Sequence, residues 1–171
     1  LNKFMNNIQY KLCNKSYRET LQKFISENWK YNHILSKNKK LLDWQYMNKN
    51  GDYNFVLAME SEKIIGILGF IPSDFFHKRI HVEINECCLA LWSIKKNSNI
   101  AGLGIGMIQY LKKLFNLNFI YTLGLSDDAI QIYNALKYSV SHLQHFIKIN
   151  HKKKQFQILK NHENFKIKYS P

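Results

Sequence analysis

The sequence predicts an α/β fold with a mixed central sheet flanked by helices, and three features carry that expectation. Two apolar runs, 53–59 and 64–70, flank the polar turn Glu60-Ser61-Glu62-Lys63, as the arms of a hairpin do. A third run, 86–94, leads through a glycine-rich stretch, 101–106, into a helical pattern that places Ile108, Leu111 and Leu114 or Phe115 on one face. A fourth run, 119–125, again precedes a helical segment, and this mingling of hairpin with strand–helix–strand order is the pattern of a mixed sheet.

Taken in order, 8–13 alternates weakly and reads as a first strand. Ser16-Tyr17-Arg18-Glu19 is a capping box that opens a helix with Leu21, Phe24, Ile25 and Asn28 on one side. Residues 29–33 form a linker, and a second cap at Ser36 starts a helix through Leu41, Leu42, Trp44, Gln45 and Met47, ended by 48–52. Within the hairpin, Gly66 and Gly69 point to a bulge or a close approach. Residues 72–78 are a loop, and the chain re-enters the sheet from 79. Asn116-Leu117-Asn118 breaks the helix after the glycine stretch. Asp127 and Asp128 suit the first turn of the next one, where the dipole favours acids. Closing strands at 139–150 and 155–159 complete the order β-α-α-β-β-β-α-β-α-β-β over a single domain, 1–171. The abrupt end, with a strand-like 165–168, leaves two readings open: a fragment of a longer protein, or a terminal edge strand.

A chain of 171 residues, 46% apolar, can bury a real core. No apolar run approaches the ~20 residues of a membrane span, and the first seven residues lack the apolar segment of a signal peptide. Cys13, Cys87 and Cys88 are odd in number and lack metal-ligand spacing. They read as reduced thiols of a cytoplasmic protein, with Cys87 and Cys88 on opposite faces of a strand and no metal expected. The net charge of +13 invites a nucleic-acid reading. Only Arg18 and Arg79 are arginine, however, and no recognition helix or aromatic RNA platform is present, so no specific nucleic-acid partner is expected. The segment 148–168, with seven lysines against Glu163, reads as a solvated face.

The glycine stretch, Ala101-Gly102-Leu103-Gly104-Ile105-Gly106, joins a strand to a helix. Glycines let a backbone approach a phosphate closely, and a helix start offers unpaired N–H groups. The spacing is not that of the dinucleotide fingerprint, Gly-x-Gly-x-x-Gly, and no Gly-Lys-Ser/Thr follows. It resembles the pyrophosphate loop of the GNAT acyl-CoA-dependent acyltransferases, Arg/Gln-x-x-Gly-x-Gly/Ala, with Gly104 and Gly106 at the glycine positions and Ala101 in place of Arg/Gln. Downstream, the segment from Ser126 to Tyr138 resembles the family's Asn-x-x-Ala-x-x-Leu-Tyr-x-x-Leu-Gly-Phe. Ala129, Tyr133 and Leu136 are in register, while Ser126, Lys137 and Tyr138 replace Asn, Gly and Phe. The resemblance covers residues 53–146.

The resemblance implies that strands 86–94 and 119–125 splay apart around the pantetheine arm of acetyl-CoA. Trp92, Ser93 and Ile94 would bind the arm and polarise the thioester. The amides of Leu103, Gly104, Ile105 and Gly106 would hold the pyrophosphate, with Lys95, Lys96 and Asn99 in reach, and Ser126 would serve the cofactor side. The positive charge would help attract this polyanion. Tyr133 would protonate the departing thiolate, since a phenol is neutral at pH 7 and can donate. Glu86 is the expected base, its burial on the sheet raising its pKa, with His81 second and Glu83 on the other face. The acceptor, a small amine, would meet Trp29, His33 and Trp44, with Tyr31 and Tyr46 nearby. The run 29–46 resembles GNAT proteins of surface-polysaccharide gene clusters, which implies a nucleotide-linked amino sugar. The implied activity is an N-acetyltransferase working by direct attack in a ternary complex, as a monomer or homodimer. The departures at Ala101 and Ser126 keep open a catalytically degenerate acyl-CoA-binding or interaction module.

Overall fold

In the computed structural model, which describes residues 8–73, 75, 86–98 and 100–144, five strands form one sheet in chain order. They are β1 (Ile8–Cys13), β2 (Tyr53–Glu60), β3 (Lys63–Pro72), β4 (Glu86–Ile94) and β5 (Phe119–Thr122). The first four are antiparallel neighbours, and β4 and β5 run parallel. The helices are α1 (Arg18–Phe24), α2 (Ile34–Lys37), α3 (Lys39–Tyr46), α4 (Leu103–Phe115) and α5 (Asp127–Ala135). The chain divides into two compact units after Ser126. The sheet and α1 to α4 belong to the first, and α5 to the second.

Strand β2 is buried on both faces, which is why it reads as a continuous apolar run rather than an alternating one. Its odd residues, Tyr53, Phe55, Leu57 and Met59, join Leu21, Phe24, Ile25, Leu35, Leu42 and Tyr46 of the α1–α3 layer in the main core. On the opposite face α4 lies across the sheet, its buried side formed by Leu103, Met107, Ile108 and Leu111. Burying each of these four side chains contributes about 1.5–3 kcal/mol relative to exposure. Leu114 and Phe115, one of them expected on this stripe, are both exposed in part, although the Phe115 ring still lies 5.5 Å from that of Phe70 on β3.

Both glycine expectations for the hairpin hold. The β2–β3 register slips between Ala58 and Met59, beside Gly66, and the β3–β4 register slips between Gly69 and Phe70, leaving Ala90 as the extra residue on β4. A methyl group on Gly66 would stand 3.1 Å from Met107 Cε, and one on Gly69 would stand 2.8 Å from the Phe55 ring. The hairpin turn is two residues long, Ser61 and Glu62 both taking positive φ, the geometry that matches the twist of the flanking strands.

Helix starts differ from the expected caps. Asn14, not Ser16, caps the first helical segment: its Oδ1 accepts from the Ser16 N–H at 3.0 Å and from the Ser16 hydroxyl at 2.5 Å. A short 3₁₀ turn (Lys15–Tyr17) then precedes α1, and α1 runs on into a π-helical turn, Ile25–Trp29, so Trp29 belongs to helix rather than linker. Ser36 lies inside α2, whose cap is His33, and Asn38 caps α3 by accepting from the Leu41 N–H at 3.0 Å. Asn and His carry acceptors as effective as a serine hydroxyl, and here they stand nearer the point where the chain turns. Strand β5 ends at Thr122, three residues short of the expected 125, and Gly124 takes φ +71 beyond it. Residues 139–144 have no strand pairing among the described residues. The remainder of the closing strands, 79–85 and the lysine-rich 148–168 lie outside the described residues.

Cys13 and Cys87 are buried, and burial pushes each thiol up to about 12; Cys88 is half-buried and raised by the same cause. None of the three is activated as a nucleophile.

The close contact at Gly69 gives a direct test of the packing. Gly69→Ala must displace the Phe55 and Tyr46 rings and is expected to cost about 1–3 kcal/mol of stability by chemical denaturation. An unchanged midpoint would show that this side of the core is loosely packed.

Candidate active site

Strands β4 and β5 pair only from Glu86 with Phe119 to Leu89 with Thr122. Beyond Leu89, β4 continues for five residues bonded to β3 alone among the described strands, and Ala90 is exposed in mid-strand. The ladder between β4 and β5 therefore ends at Leu89, where β5 itself ends, next to the β4 bulge at Ala90. Trp92, Ser93 and Ile94 lie on the opened half and are half-buried.

Past Ile94 the chain turns tightly. The Lys95 N–H donates to Ile65 O at 2.8 Å, Asn97 takes φ +65, and the side chains of Lys95 and Lys96 are exposed. Asn99, like His81 and Glu83, lies outside the described residues. Gly102 caps α4 with φ +76 and has open space around it. The Gly106 N–H donates to Gly102 O at 2.8 Å and the Leu103 N–H to Ile100 O at 3.4 Å. Gly106 therefore spends its amide inside the helix, and the amides of Gly104 and Ile105 are those to which helix geometry gives no helical acceptor.

Gly104 and Gly106 have a second role that the motif alone did not disclose. A Cβ on Gly104 would collide with the Trp92 indole, and one on Gly106 with the Tyr10 ring. These glycines let α4 seat on β4 and β1, a packing role beside the phosphate approach expected from the motif.

Glu86 opens β4 in the paired half of the ladder, half-buried, and its carbonyl accepts from Ser73 N–H at 3.3 Å and Ser73 Oγ at 3.4 Å. At ~3.3 Å per residue it stands about 10 Å before the point where the strands part and about 23 Å before Ser93. The structure thus separates Glu86 from Ser93 and Ile94 along the strand, and the expected burial on the sheet interior is only partial.

On the opposite face, Ser93 Oγ donates to the Asn28 carbonyl at 3.1 Å, and the Lys96 N–H donates to Asn28 Oδ1 at 3.1 Å. Beside them lies an open polar groove of about 720 Å³. Carboxylates of Glu19 and Glu27, amines of Lys23 and Lys96, and Gln22, Ser26, Tyr31 and Ser36 line it. Lys23 and Glu27 form an exposed pair at 3.9 Å. Except for Tyr31 and Lys96, none of these was expected at the site from the sequence. Glu19, Gln22 and Lys23 share the polar side of α1, visible only once the apolar side is fixed.

Of the aromatics expected at the acceptor, Trp29 and His33 come together, ring centroids 4.4 Å apart. Tyr31 is 81% exposed and reaches the groove. Trp44 is 65% exposed on α3, away from the groove lining. Tyr46 is a core residue packed on Phe55 at 4.5 Å and is not available to a substrate. His33 Nδ1 accepts from the Leu35 N–H at 3.2 Å as the α2 cap. Burial, and then Lys30, lower its pKa below the usual 6.5.

In the second unit, Tyr133 is 5% exposed on α5 and packs edge-on against Tyr138 at 5.5 Å. Ser126 is exposed immediately before α5. Among the described residues no group of His, Cys, Asp and Glu could hold a metal ion, and no helix is long and apolar enough to cross a membrane.

No family model and no curated protein matches the sequence. Solved structures do match the fold. Aminoglycoside N-acetyltransferase AAC(6')-Iy in complex with CoA superposes with a TM-score of 0.60 at 11% identity, over 87% of this chain and 99% of that one. The fold is that of the GNAT acetyltransferases. An aminoglycoside acetyltransferase from an uncultured soil metagenomic sample, in complex with sisomicin, matches the same GNAT fold at TM-score 0.59 and 14% identity, over 85% and 97% of the two chains. A Pyrococcus horikoshii protein assigned as an acetyltransferase matches at TM-score 0.59 and 14% identity, but the chain spans only 45% of its length.

The cap at His33 makes this edge of the site acid-sensitive. A depressed pKa means that the unfolded chain binds the proton more readily, so the stabilisation is present above 6.5 and is lost as pH falls through the lower folded value. Protonation also removes the acceptor for Leu35. Thermal melts between about pH 7 and 5.5 are expected to show a loss of stability that His33→Asn, which keeps an acceptor and does not titrate, diminishes. Equal slopes for both proteins would show that His33 does not act as the cap.

Proposed function

We propose that this chain is an acetyl-CoA-dependent N-acetyltransferase, acting by direct attack of an amine on the thioester in a ternary complex. The observation that carries this reading is the parting of β4 from β5 at Leu89, directly upstream of a glycine turn and helix start, in a fold shared with CoA-bound acetyltransferases. The residues present fit the cofactor. Gly102 leaves open space at the helix start, the Gly104 and Ile105 amides lack helical acceptors, and Lys95 and Lys96 supply exposed positive charge beside them.

In this reading the amine nitrogen forms a bond to the acetyl carbon and the carbon–sulfur bond breaks. The departing thiolate takes a proton from the Tyr133 hydroxyl. The proton released by the amine passes to water in the open groove, since Glu86, the base expected from the sequence, stands about 23 Å along β4 from Ser93. Backbone groups of Trp92, Ser93 and Ile94 hold the cofactor arm, and Ser126 contributes on the same side. The acceptor enters by the groove, where carboxylates face a cationic amine and hydroxyl and amide side chains face ring hydroxyls, with Trp29, His33 and Trp44 on the approach. That lining suits an amino sugar, free or nucleotide-linked, and two of the solved neighbours are aminoglycoside acetyltransferases. Ala101 and Ser126, where the family carries Arg/Gln and Asn, favour a second reading, a domain that binds acyl-CoA without turnover.

Acetyl-CoA at 100 times its dissociation constant should stabilise the protein by about 2.7 kcal/mol and raise the melting temperature. No rise in a folded sample would overturn the cofactor assignment. Given binding, a panel of amines led by amino sugars should reveal turnover that Tyr133→Phe lowers without weakening acetyl-CoA affinity; binding with no turnover on any amine would support the second reading. Gly102→Asp separates fold from binding. Aspartate tolerates the left-handed backbone and is a favoured helix cap, so the protein should stay folded, while a carboxylate at the helix start should repel the pyrophosphate. Calorimetry should show a marked loss of acetyl-CoA affinity, and unchanged affinity would remove the loop from the cofactor site.

A further inference from the structure

We infer that Asn28 is a positioning residue that couples the cofactor-side loop to the polar groove; this rests on the acetyl-CoA reading above. Asn28 sits in the π-helical turn Ile25–Trp29, which closes with the Lys30 N–H donating to Ile25 O at 3.0 Å. Single-turn π segments are uncommon and concentrate at functional places. From this turn, one half-buried side chain and its own carbonyl reach three segments. The carbonyl accepts from Ser93 Oγ on the opened half of β4 at 3.1 Å. Oδ1 accepts from the Lys96 N–H in the loop entering α4 at 3.1 Å, and Nδ2 donates to Phe24 O at 3.4 Å.

The orientation of the amide is dictated by these partners. One neighbour is a donor and the other an acceptor, so a flipped amide would set donor against donor and acceptor against acceptor. Aspartate keeps the bond to Lys96 but turns an oxygen toward Phe24 O, and alanine keeps neither. Contacts 65 and 68 residues apart in the chain therefore meet on one residue, the first on its carbonyl and the second on its side chain.

The consequence is mechanical. Lys96 is both held by Asn28 and part of the groove lining, and Glu27, the residue before Asn28, lines the same groove. The groove is thus lined by α1, its π turn, Tyr31 and Ser36, and is joined by Lys96 of the β4–α4 loop, which Asn28 ties to the π turn. Ordering of the loop by a bound pyrophosphate is passed through the Lys96 amide to Asn28 and so to the π turn. An occupied cofactor site then presents a set groove to the acceptor.

Hydrogen–deuterium exchange with and without acetyl-CoA tests this without knowledge of the acceptor. In the wild-type protein, acetyl-CoA should slow exchange in peptides covering 92–106 and also in peptides covering 24–36. Asn28→Ala should keep the first protection and lose the second, and Asn28→Asp should restore part of it. Slowing confined to 92–106 in the wild type, or full protection of 24–36 in Asn28→Ala, overturns the coupling alone. No slowing anywhere overturns the cofactor reading and the coupling with it. If Asn28→Ala does not fold, Asn28→Ser, whose shorter side chain loses the bond to the Lys96 N–H, carries the test, and full protection of 24–36 in that variant overturns the coupling.

Discussion

Three positions without a side chain let α4 lie flat against the sheet: Gly104 under the Trp92 indole, Gly106 beside the Tyr10 ring, and Gly66 beneath Met107. The contacts come from β4, β1 and β3, so the helix is fixed against three strands at once. A methyl group at any of these positions would push α4 outward, and interiors packed to crystal-like density do not absorb such a shift without cost. What is fixed in consequence is the helix N-terminus. Its unpaired amides and the positive end of its dipole, equivalent to roughly half an elementary charge, are held at the end of β4, where the sheet has just opened.

That opening has its own cause. Strand β5 is four residues long and β4 is nine, so the parallel ladder stops while β4 runs on. The bulge at Ala90 twists β4 at the same point, and Gly124 turns the chain away after β5. Beyond Leu89, β4 is paired with β3 alone among the described strands, and it ends on the loop that leads into α4. The geometry thus unites two features that the sequence displays separately.

The opposite face carries the main core, and polar contacts set its edge beside the groove. Asn28 joins the π turn to Ser93 and Lys96, and His33 and Asn38 cap the short helices that follow. On a chain of net charge +13, the groove beside them holds two carboxylates and two amines. The excess positive charge of the molecule is therefore not concentrated there.

The hairpin, the glycine turn and the helices after it were legible in the sequence because they depend on local patterns: apolar runs of strand length, a polar turn, and residues spaced by 3.6. Strand β1 matched its expected residues, and β2 and β3 matched within a few. The first caps were not legible, since Asn14, Ser16, His33, Ser36 and Asn38 all offer acceptors and only the path of the chain selects among them. The aromatic run 29–46 was equally ambiguous: Tyr46 went to the core while Tyr31 and Trp44 went to solvent, because periodicity in short helices does not say which side meets the sheet. By itself the sequence determined the α/β class, the position of the glycine turn and the strand that feeds it. Only the tertiary structure decided that Gly104 and Gly106 seat a helix, that β4 and β5 part at Leu89, and that Asn28 meets Ser93 and Lys96. Those are distances between residues far apart in the chain, and they are set by how side-chain volumes fit together rather than by any local pattern.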